Sequence, residues 1–182
     1  MKLTAIEQTH LALLEQWRGA MNLVGPGSVQ PHFIDSVGAV SRLAAKGRWA
    51  DLGSGAGFPG IALAARHRDA VVLLVESRQK RAAFLRRVIT DAHLENARVF
   101  HGRVEDLEPG FDGVICRAYK APEAFLADAA RLLGPEGVAV VLTADTLPHQ
   151  PGWDVIDAAV YPVVDGHRVR TVVTRTSVDG LT

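Results

Sequence analysis

The chain has 182 residues, 48% of them hydrophobic and 22% charged, which is the size and composition of one globular domain. Twenty basic and twenty acidic residues give a formal net charge of zero, which excludes a basic surface over the whole chain, although a local one is still allowed. The single cysteine, Cys116, excludes an intrachain disulfide and a cysteine-based metal site, and the histidines form no pair at helical ligand spacing, so we expect no metal.

Two helices are predicted at the N-terminal end. Apolar residues recur at three- and four-residue spacing over residues 4–21, which is typical of an amphipathic helix. A Gly-Pro-Gly sequence at 25–27 breaks the chain after it. A second helix is predicted to begin near Pro31, with Ser28 as its candidate cap, and to end at Gly47.

From Trp49 onward the patterns of strands and helices alternate. The predicted strands cover 49–52, 71–75, 98–101, 111–116 and 138–143, and the predicted helices cover 58–66, 78–93 and 122–133. The unbroken apolar run 71–75 indicates a strand buried on both faces, and Gly134-Pro135 is expected to end the last helix.

Two further strands, 153–161 and 168–174, follow without a helix between them, and the turn at 164–167 predicts a hairpin. Alternating βα units imply a parallel sheet, to which the hairpin adds an antiparallel edge. We therefore interpret residues 1–46 as an N-terminal helical extension packed on the core, and residues 47–182 as the main domain.

The strongest local signal is a glycine-rich loop between the first strand of this domain and the next helix, Asp51-Leu52-Gly53-Ser54-Gly55-Ala56-Gly57-Phe58-Pro59-Gly60. Glycines there let the backbone turn tightly and approach a ligand, and doubly wound sheets bind ligands at this end. Gly55, Gly57 and Gly60 also satisfy a dinucleotide fingerprint. Three features favour S-adenosylmethionine: Asp51 can face an ammonium group, Gly53 to Gly57 have G-x-G-x-G spacing, and the chain ends in two strands rather than a second large domain.

Candidate binding residues also follow the other parallel strands. Glu76, after the second strand, can accept both ribose hydroxyls of an adenosine, or it is a solvated strand-end acid. Val104 and Glu105, after the third strand, would flank the adenine, or belong to an exposed loop in which Glu105 or Asp106 caps a helical turn.

The segment after the fourth strand is where a transferred methyl group and its acceptor would meet. Arg117 there can contact the cofactor carboxylate or an RNA phosphate. Cys116 could act as a nucleophile for carbon methylation, but no Pro-Cys context is present, and a small buried residue is the favoured interpretation.

Several motifs keep a characteristic order and spacing from about residue 13 to residue 175. They are Trp17, Met21-Asn22-Leu23, His32-Phe33-Ile34-Asp35-Ser36, Asp51 to Gly60, Glu76-Ser77, Lys80-Arg81, Phe84-Leu85, Arg103-Val104-Glu105, Phe111 to Ile115 and Arg117-Ala118. In these motifs the chain resembles the small-subunit ribosomal RNA methyltransferase G family, also called glucose-inhibited division protein B. It departs from that family at Pro31, where the family has Arg, and at Leu142-Thr143-Ala144, where the family has Leu-Lys-Gly.

The resemblance implies a class I methyltransferase with a doubly wound α/β fold. Its Rossmann-like sheet would be seven-stranded and mostly parallel, with short helices before it. The implied reaction is transfer of a methyl group from S-adenosylmethionine to N7 of a guanine in 16S ribosomal RNA, a step of rRNA processing. The implied cofactor contacts are Gly53, Phe58, Val104, Glu105 and Arg117.

Guanine N7 carries a lone pair and no proton, so its methylation needs no general base. Catalysis would then rest on in-line placement and on electrostatics, because the purine gains positive charge. We expect Asp35 to stabilise that charge, His32 to orient Asp35, and Arg117 to contribute beside them. Alternatively, His32 and Asp35 only hold the N-terminal helix on the core.

The expected partner is small-subunit ribosomal RNA, free or within the ribosomal subunit, and neither DNA nor a membrane. RNA phosphates could bind the basic residues of helix 78–93 and of the final hairpin, or these residues could form a solvated face: Arg78, Lys80, Arg81, Arg86, Arg87, Arg168, Arg170 and Arg175. No stretch reaches the roughly 18 to 20 apolar residues of a membrane span, and residues 1–10 lack the apolar run of a secretory signal, so we expect a cytoplasmic monomer.

Two other functions stay open from the sequence. One is a methyltransferase of the same fold that acts on another RNA site or on a small molecule. The other is a non-catalytic module that binds the cofactor or RNA.

Overall fold

Strands and helices alternate along most of the chain in the computed structural model, which describes residues 2–176. In chain order they are α1 (Ala5–Met21), α2 (Gln30–Val40), β1 (Gly47–Leu52), α3 (Gly60–Arg66), β2 (Ala70–Glu76), α4 (Gln79–Asp91), β3 (Ala97–His101), β4 (Phe111–Ile115), α5 (Pro122–Leu132), β5 (Leu133–Thr143), β6 (Trp153–Val163) and β7 (Gly166–Arg175). A short 3-10 helix, Val104–Asp106, lies between β3 and β4. None of the helices within residues 2–176 is both long and apolar enough to cross a bilayer.

The strands form one sheet in the order β3-β2-β1-β4-β5-β7-β6. Strands β1 to β5 are parallel, and β7 runs antiparallel between β5 and β6. The chain therefore winds outwards from β1 to β3 and restarts at β4 on the other side of β1. This confirms the predicted doubly wound, mostly parallel, seven-stranded sheet with an antiparallel edge hairpin. The reversal between β1 and β4 is the point at which such sheets open a crevice beyond their carboxyl ends.

Two hydrophobic clusters cover the two faces of the sheet. The larger contains residues of α1 to α4, and the smaller is built around α5, which packs on β4 and β5. The predicted burial of residues 71–75 on both faces was wrong for Val71, which is 53% exposed. Val71 lies near the start of β2 on the face of α5, and α5 covers β4 and β5 instead.

Some predicted boundaries were also wrong. The strand predicted at 138–143 begins earlier, at Leu133, so no loop separates it from α5. Gly134-Pro135 lies where the pairing of β5 with β4 shifts register. Helix α2 ends at Val40 rather than at Gly47, which instead starts β1. Its N-cap is Val29 without a side-chain cap, although Ser28 Oγ accepts a hydrogen bond from the Gln30 amide at 3.2 Å.

Two buried polar residues of α1 fasten this helix to the main domain. Glu7 completes a capping box with Thr4 and also pairs with Arg66 of α3, with 2.7 Å between Oε1 and Nε. His10 Nε2 lies 2.7 Å from the carbonyl oxygen of Ala56 in the glycine loop, and burial lowers the pKa of His10 to about 4. The neutral imidazole therefore donates to that carbonyl, and α1 supports the loop from behind.

Candidate functional site

The glycine-rich loop turns sharply between β1 and α3. Gly53, Gly55 and Gly57 have φ angles of 71°, 56° and 97°, which favour glycine. A Cβ atom on Gly53 would lie 2.6 Å from Cδ2 of Tyr119, so only glycine fits beneath that ring. Ser54 is buried and ties the loop down, donating from its amide to Val75 O and from its hydroxyl to Asp51 O, both at 2.9 Å.

Glu76 lies at the end of β2 and binds the loop through its carboxylate. Its Oε2 accepts the amide of Gly55 at 3.0 Å, and its Oε1 accepts the amide of Arg78 at 2.7 Å. A carboxylate has about four acceptor sites on its two oxygens, so each oxygen can accept another hydrogen bond. Glu76 is 5% exposed, and its exposed part faces the cavity described next.

A cavity of about 690 Å³ lies beyond the carboxyl ends of the central strands. It brings together four of the predicted cofactor residues, Gly53, Glu76, Val104 and Glu105. The other predicted cofactor residues are not among those that line this cavity: Asp51, Ser54, Gly55, Gly57, Phe58 and Arg117. We call this space the cofactor cavity.

Asp51 lies beneath the loop with its side chain fully buried. Its Oδ2 accepts the amide of Gly60 at 3.1 Å, whereas no group among residues 2–176 donates to Oδ1. Burial raises the pKa of Asp51 to about 7, and the hydrogen bonds and Arg117 only partly oppose that effect. Asp51 is not among the residues that line the cofactor cavity, so its expected contact with the ammonium group of a ligand stays a prediction.

The predicted catalytic residues meet in a second cavity of about 340 Å³, lined by His32, Asp35, Arg117, Ala118, Leu142 and Arg168. We call it the acceptor cavity. Arg117 Nη1 lies 3.3 Å from Asp35 Oδ2, and both side chains are mostly buried. Burial and the charge of Arg117 lower the pKa of His32, so this imidazole is neutral at neutral pH. Ala118 lines both cavities, which are therefore neighbours.

Phe58 of the glycine-rich loop packs against α2 and is 4% exposed. Its ring centroid lies 5.0 Å from that of Phe33 and 5.5 Å from that of His32. The guanidinium carbon of Arg117 lies 4.8 Å from the centre of the Phe58 ring, a cation–π contact. Phe58 thus supports Arg117, and the cofactor contact that the resemblance implies for it stays a prediction.

The remaining candidates divide between binding and packing roles. Cys116 is buried, and burial raises the pKa of its thiol, which favours packing over nucleophilic attack. Asp106 accepts the Arg103 amide at 3.2 Å at the start of the 3-10 helix, while the neighbouring Glu105 faces the cofactor cavity. The interpretation of Arg170 as a phosphate ligand was wrong, because its side chain is 2% exposed and pairs with Asp157.

Sequence reasoning missed two tyrosines. Tyr119 covers Gly53 and lines the cofactor cavity, and its position three residues after Cys116 could have suggested this role. Tyr161 donates its hydroxyl hydrogen to Asp35 Oδ1 at 2.8 Å. No sequence signal points to that contact, because the two residues are 126 positions apart.

Comparisons with known proteins agree on one family. The family model for rRNA small subunit methyltransferase G matches residues 4–150. Ribosomal RNA small subunit methyltransferase G of Pseudomonas fluorescens (strain Pf0-1) is 35% identical over 181 residues, which cover 92% of this chain and 84% of that protein. The protein of the same name from Stutzerimonas stutzeri (strain A1501) is 34% identical over 182 residues, which cover 92% of this chain and 85% of that protein.

Solved structures share the fold at lower identity. M. jannaschii TYW2 in complex with AdoMet has a TM-score of 0.65 and 18% identity, over 83% of this chain and 79% of that chain. The O-methyltransferase from Bacillus cereus in complex with SAH has a TM-score of 0.61 and 19% identity, over 97% of this chain and 92% of that chain. At these identities the likeness concerns the fold.

Proposed function

Because the chain belongs to the rRNA small subunit methyltransferase G family, we propose that it transfers the methyl group of S-adenosylmethionine to N7 of a guanine in small-subunit ribosomal RNA. Membership of the family confirms the predicted resemblance and the predicted methyltransferase class. The target atom, the RNA and the cytoplasmic location belong to this proposal, as do the roles of the residues below.

The observation that carries the proposal is the contact between the cofactor cavity and the acceptor cavity at Ala118. Methyl transfer requires a donor and an acceptor in line and in contact. The two cavities have different polar groups. Glu76 lines the cofactor cavity, whereas the Asp35–Arg117 pair lines the acceptor cavity.

The residues of the cofactor cavity suit an adenosyl ligand. The free acceptor sites of Glu76 can bind ribose hydroxyls, and Val104 can pack against a purine ring. Asp51 acts from beneath the loop, where it accepts the Gly60 amide. S-adenosylmethionine, when bound, supplies an electrophilic methyl group on a sulfonium. Tyr119 covers Gly53 of the loop and lines the same cavity.

In the acceptor cavity, Asp35 and Arg117 would hold the guanine and offset its charge. Arg117 Nη1 donates hydrogen bonds to Asp35 Oδ2 at 3.3 Å and to the carbonyl of His32 at 3.5 Å. The guanidinium has further N–H donors. One of these can bind guanine O6, and N7 must stay free to attack. The negative charge of Asp35 then stabilises the positive charge that develops on the methylated purine.

The test is methylation of small-subunit ribosomal RNA in vitro. Ribosomal subunits and free RNA from a strain without this gene are incubated with the protein and S-adenosylmethionine, and the digested nucleosides are measured by mass spectrometry. We expect one new 7-methylguanosine, lost in Asp35→Asn although SAH still binds. A different methylated nucleoside, or none, would overturn the proposed target, and unchanged activity of Asp35→Asn would overturn the role of Asp35.

Two departures from the family's sequence pattern are reasons to test a second kind of methyl acceptor. Pro31 and Thr143 stand where the family has Arg and Lys, so two cations that could hold RNA are missing near the acceptor cavity. A modified nucleoside other than 7-methylguanosine would indicate another RNA site. Methylation of a small molecule in a cell extract incubated with the protein and isotope-labelled S-adenosylmethionine would indicate a metabolite.

A further inference from the structure

Tyr161 lies on β6, the edge strand of the sheet, and contacts Asp35 of the acceptor cavity. Its hydroxyl donates to Asp35 Oδ1 at 2.8 Å, while Arg117 contacts the other carboxylate oxygen. Tyr161 is 6% exposed, and Asp35 is the only group within residues 2–176 with which its hydroxyl forms a hydrogen bond. The carboxylate of Asp35 is therefore fixed from two sides, by one group from β6 and one that follows β4.

The close approach of α2 to β6 depends on Gly38. A Cβ atom on Gly38 would lie 2.3 Å from Cδ2 of the Tyr161 ring. Gly38 is three residues after Asp35, so both residues lie on the same face of α2. Glycine is unfavourable inside a helix, and here it lets the ring lie against the helix backbone so that the hydroxyl reaches Asp35.

The contact with Arg117 alone would hold Asp35 weakly. Its 3.3 Å separation is long for a charge-assisted hydrogen bond, which is typically near 2.8 Å. Without the Tyr161 hydroxyl, the Asp35 side chain could rotate about its Cα–Cβ bond and carry the carboxylate to another position. Its negative charge would then no longer have a fixed place relative to the guanine.

We propose that Tyr161 is a positioning residue for methyl transfer, which holds the Asp35 carboxylate in the acceptor cavity through the hydroxyl–Oδ1 hydrogen bond. This inference rests on the proposed function of Asp35. It also gives the antiparallel edge strand a part in the reaction, because β6 supplies one of the two groups that orient the carboxylate.

The test compares Tyr161→Phe, Asp35→Ala and the double variant by steady-state kinetics. Phe keeps the ring against Gly38 and removes only the hydroxyl. We expect Tyr161→Phe to lower kcat about tenfold, as for loss of a hydrogen bond to a charged group, with KM for the RNA and Kd for SAH nearly unchanged. In the Asp35→Ala background, Tyr161→Phe should have no further effect on kcat.

Thr174→Val is the matched control. It removes another hydroxyl from the same hairpin, one that donates to Gly137 O at 3.2 Å, away from both cavities. We expect this control to keep the wild-type kcat even if its melting temperature falls as much as that of Tyr161→Phe. If the control loses kcat equally, or if the effects of Tyr161→Phe and Asp35→Ala multiply, the positioning role is overturned.

Thermal unfolding of the wild type, the two single variants and the double variant gives a readout that does not need activity. Tyr161→Phe should lower the melting temperature of the wild type but not that of Asp35→Ala, where the hydroxyl already lacks its partner. Equal decreases in both backgrounds would overturn the inference even if no RNA were methylated. Absence of methylation by the wild type would overturn the proposed function alone.

Discussion

Burial of Asp51 should make the stability of this protein depend on pH in a way that Asp51→Asn removes. The side chain is fully buried, and its pKa is raised from 3.8 to about 7. In the unfolded chain the carboxyl loses its proton near pH 4, whereas the folded protein keeps it up to about pH 7. The stabilisation is therefore complete below the unfolded pKa and is lost as the pH rises to 7.

The magnitude follows from linkage. Each pH unit between the two pKa values costs the folded state about 1.36 kcal/mol. From pH 5 to pH 8 the wild type should lose about 3 kcal/mol of unfolding free energy relative to Asp51→Asn, since only the interval below 7 contributes. The asparagine oxygen can still accept the Gly60 amide, so the local hydrogen bond survives the substitution.

Urea unfolding at pH 5, 6, 7 and 8 measures this difference directly. His10 works in the opposite direction, because its lowered pKa makes the folded state more stable as the pH rises towards 6.5. Its contribution is the same in both proteins and cancels in the difference. Asp112→Asn is the control, since Asp112 is exposed and also accepts a backbone amide, from Arg48 at 2.6 Å. A free-energy difference between wild type and Asp51→Asn that stays constant from pH 5 to pH 8 would refute the reasoning.

Three further substitutions test the site and its support. Glu76→Gln should weaken SAH binding at least about tenfold in calorimetry, because a charged acceptor of the ribose hydroxyls is lost. Gly53→Ala should lower stability by about 2 kcal/mol and weaken SAH binding, because the φ of 71° is strained for alanine and the methyl group would overlap Tyr119. Glu7→Gln should cost about 2 kcal/mol in urea unfolding, because the Arg66 guanidinium loses its charged partner.

Each of these has an outcome that contradicts it. Gly27→Ala introduces the same kind of backbone strain, at φ 105°, where the added methyl group would meet no atom of the described chain within 4 Å. If that control weakens SAH binding as much as Gly53→Ala, the overlap with Tyr119 is not the cause. Unchanged SAH affinity of Glu76→Gln would remove the ribose role, and unchanged stability of Glu7→Gln would mean that the ion pair with Arg66 stabilises nothing.

The mostly parallel sheet could be predicted from the sequence because it follows from short-range patterns, whereas its doubly wound strand order was implied by the family resemblance. Apolar runs of strand length alternate with amphipathic helices, and the rule that βα units form parallel sheets places the ends of those strands at one edge. Glu76 ends one strand, and Val104 and Glu105 come within four residues of the end of the next, so their meeting at one cavity with Gly53 could be expected. Apolar periodicity did not reveal the junction of α5 and β5, because the bulged pairing there depends on the partner strand.

The sequence by itself thus determined the fold class, the glycine loop and the carboxylates at the strand ends, since these depend on residues that are close in the chain. Only the tertiary structure decided that Asp51 lies fully buried while Glu76 reaches the cavity, and that Tyr161 meets Asp35. Those contacts depend on how tightly the loop folds over β1 and on the order β5-β7-β6, which brings β6 beneath α2. A residue's neighbours across a sheet edge are set by strand order and packing, which the local amino-acid pattern does not encode.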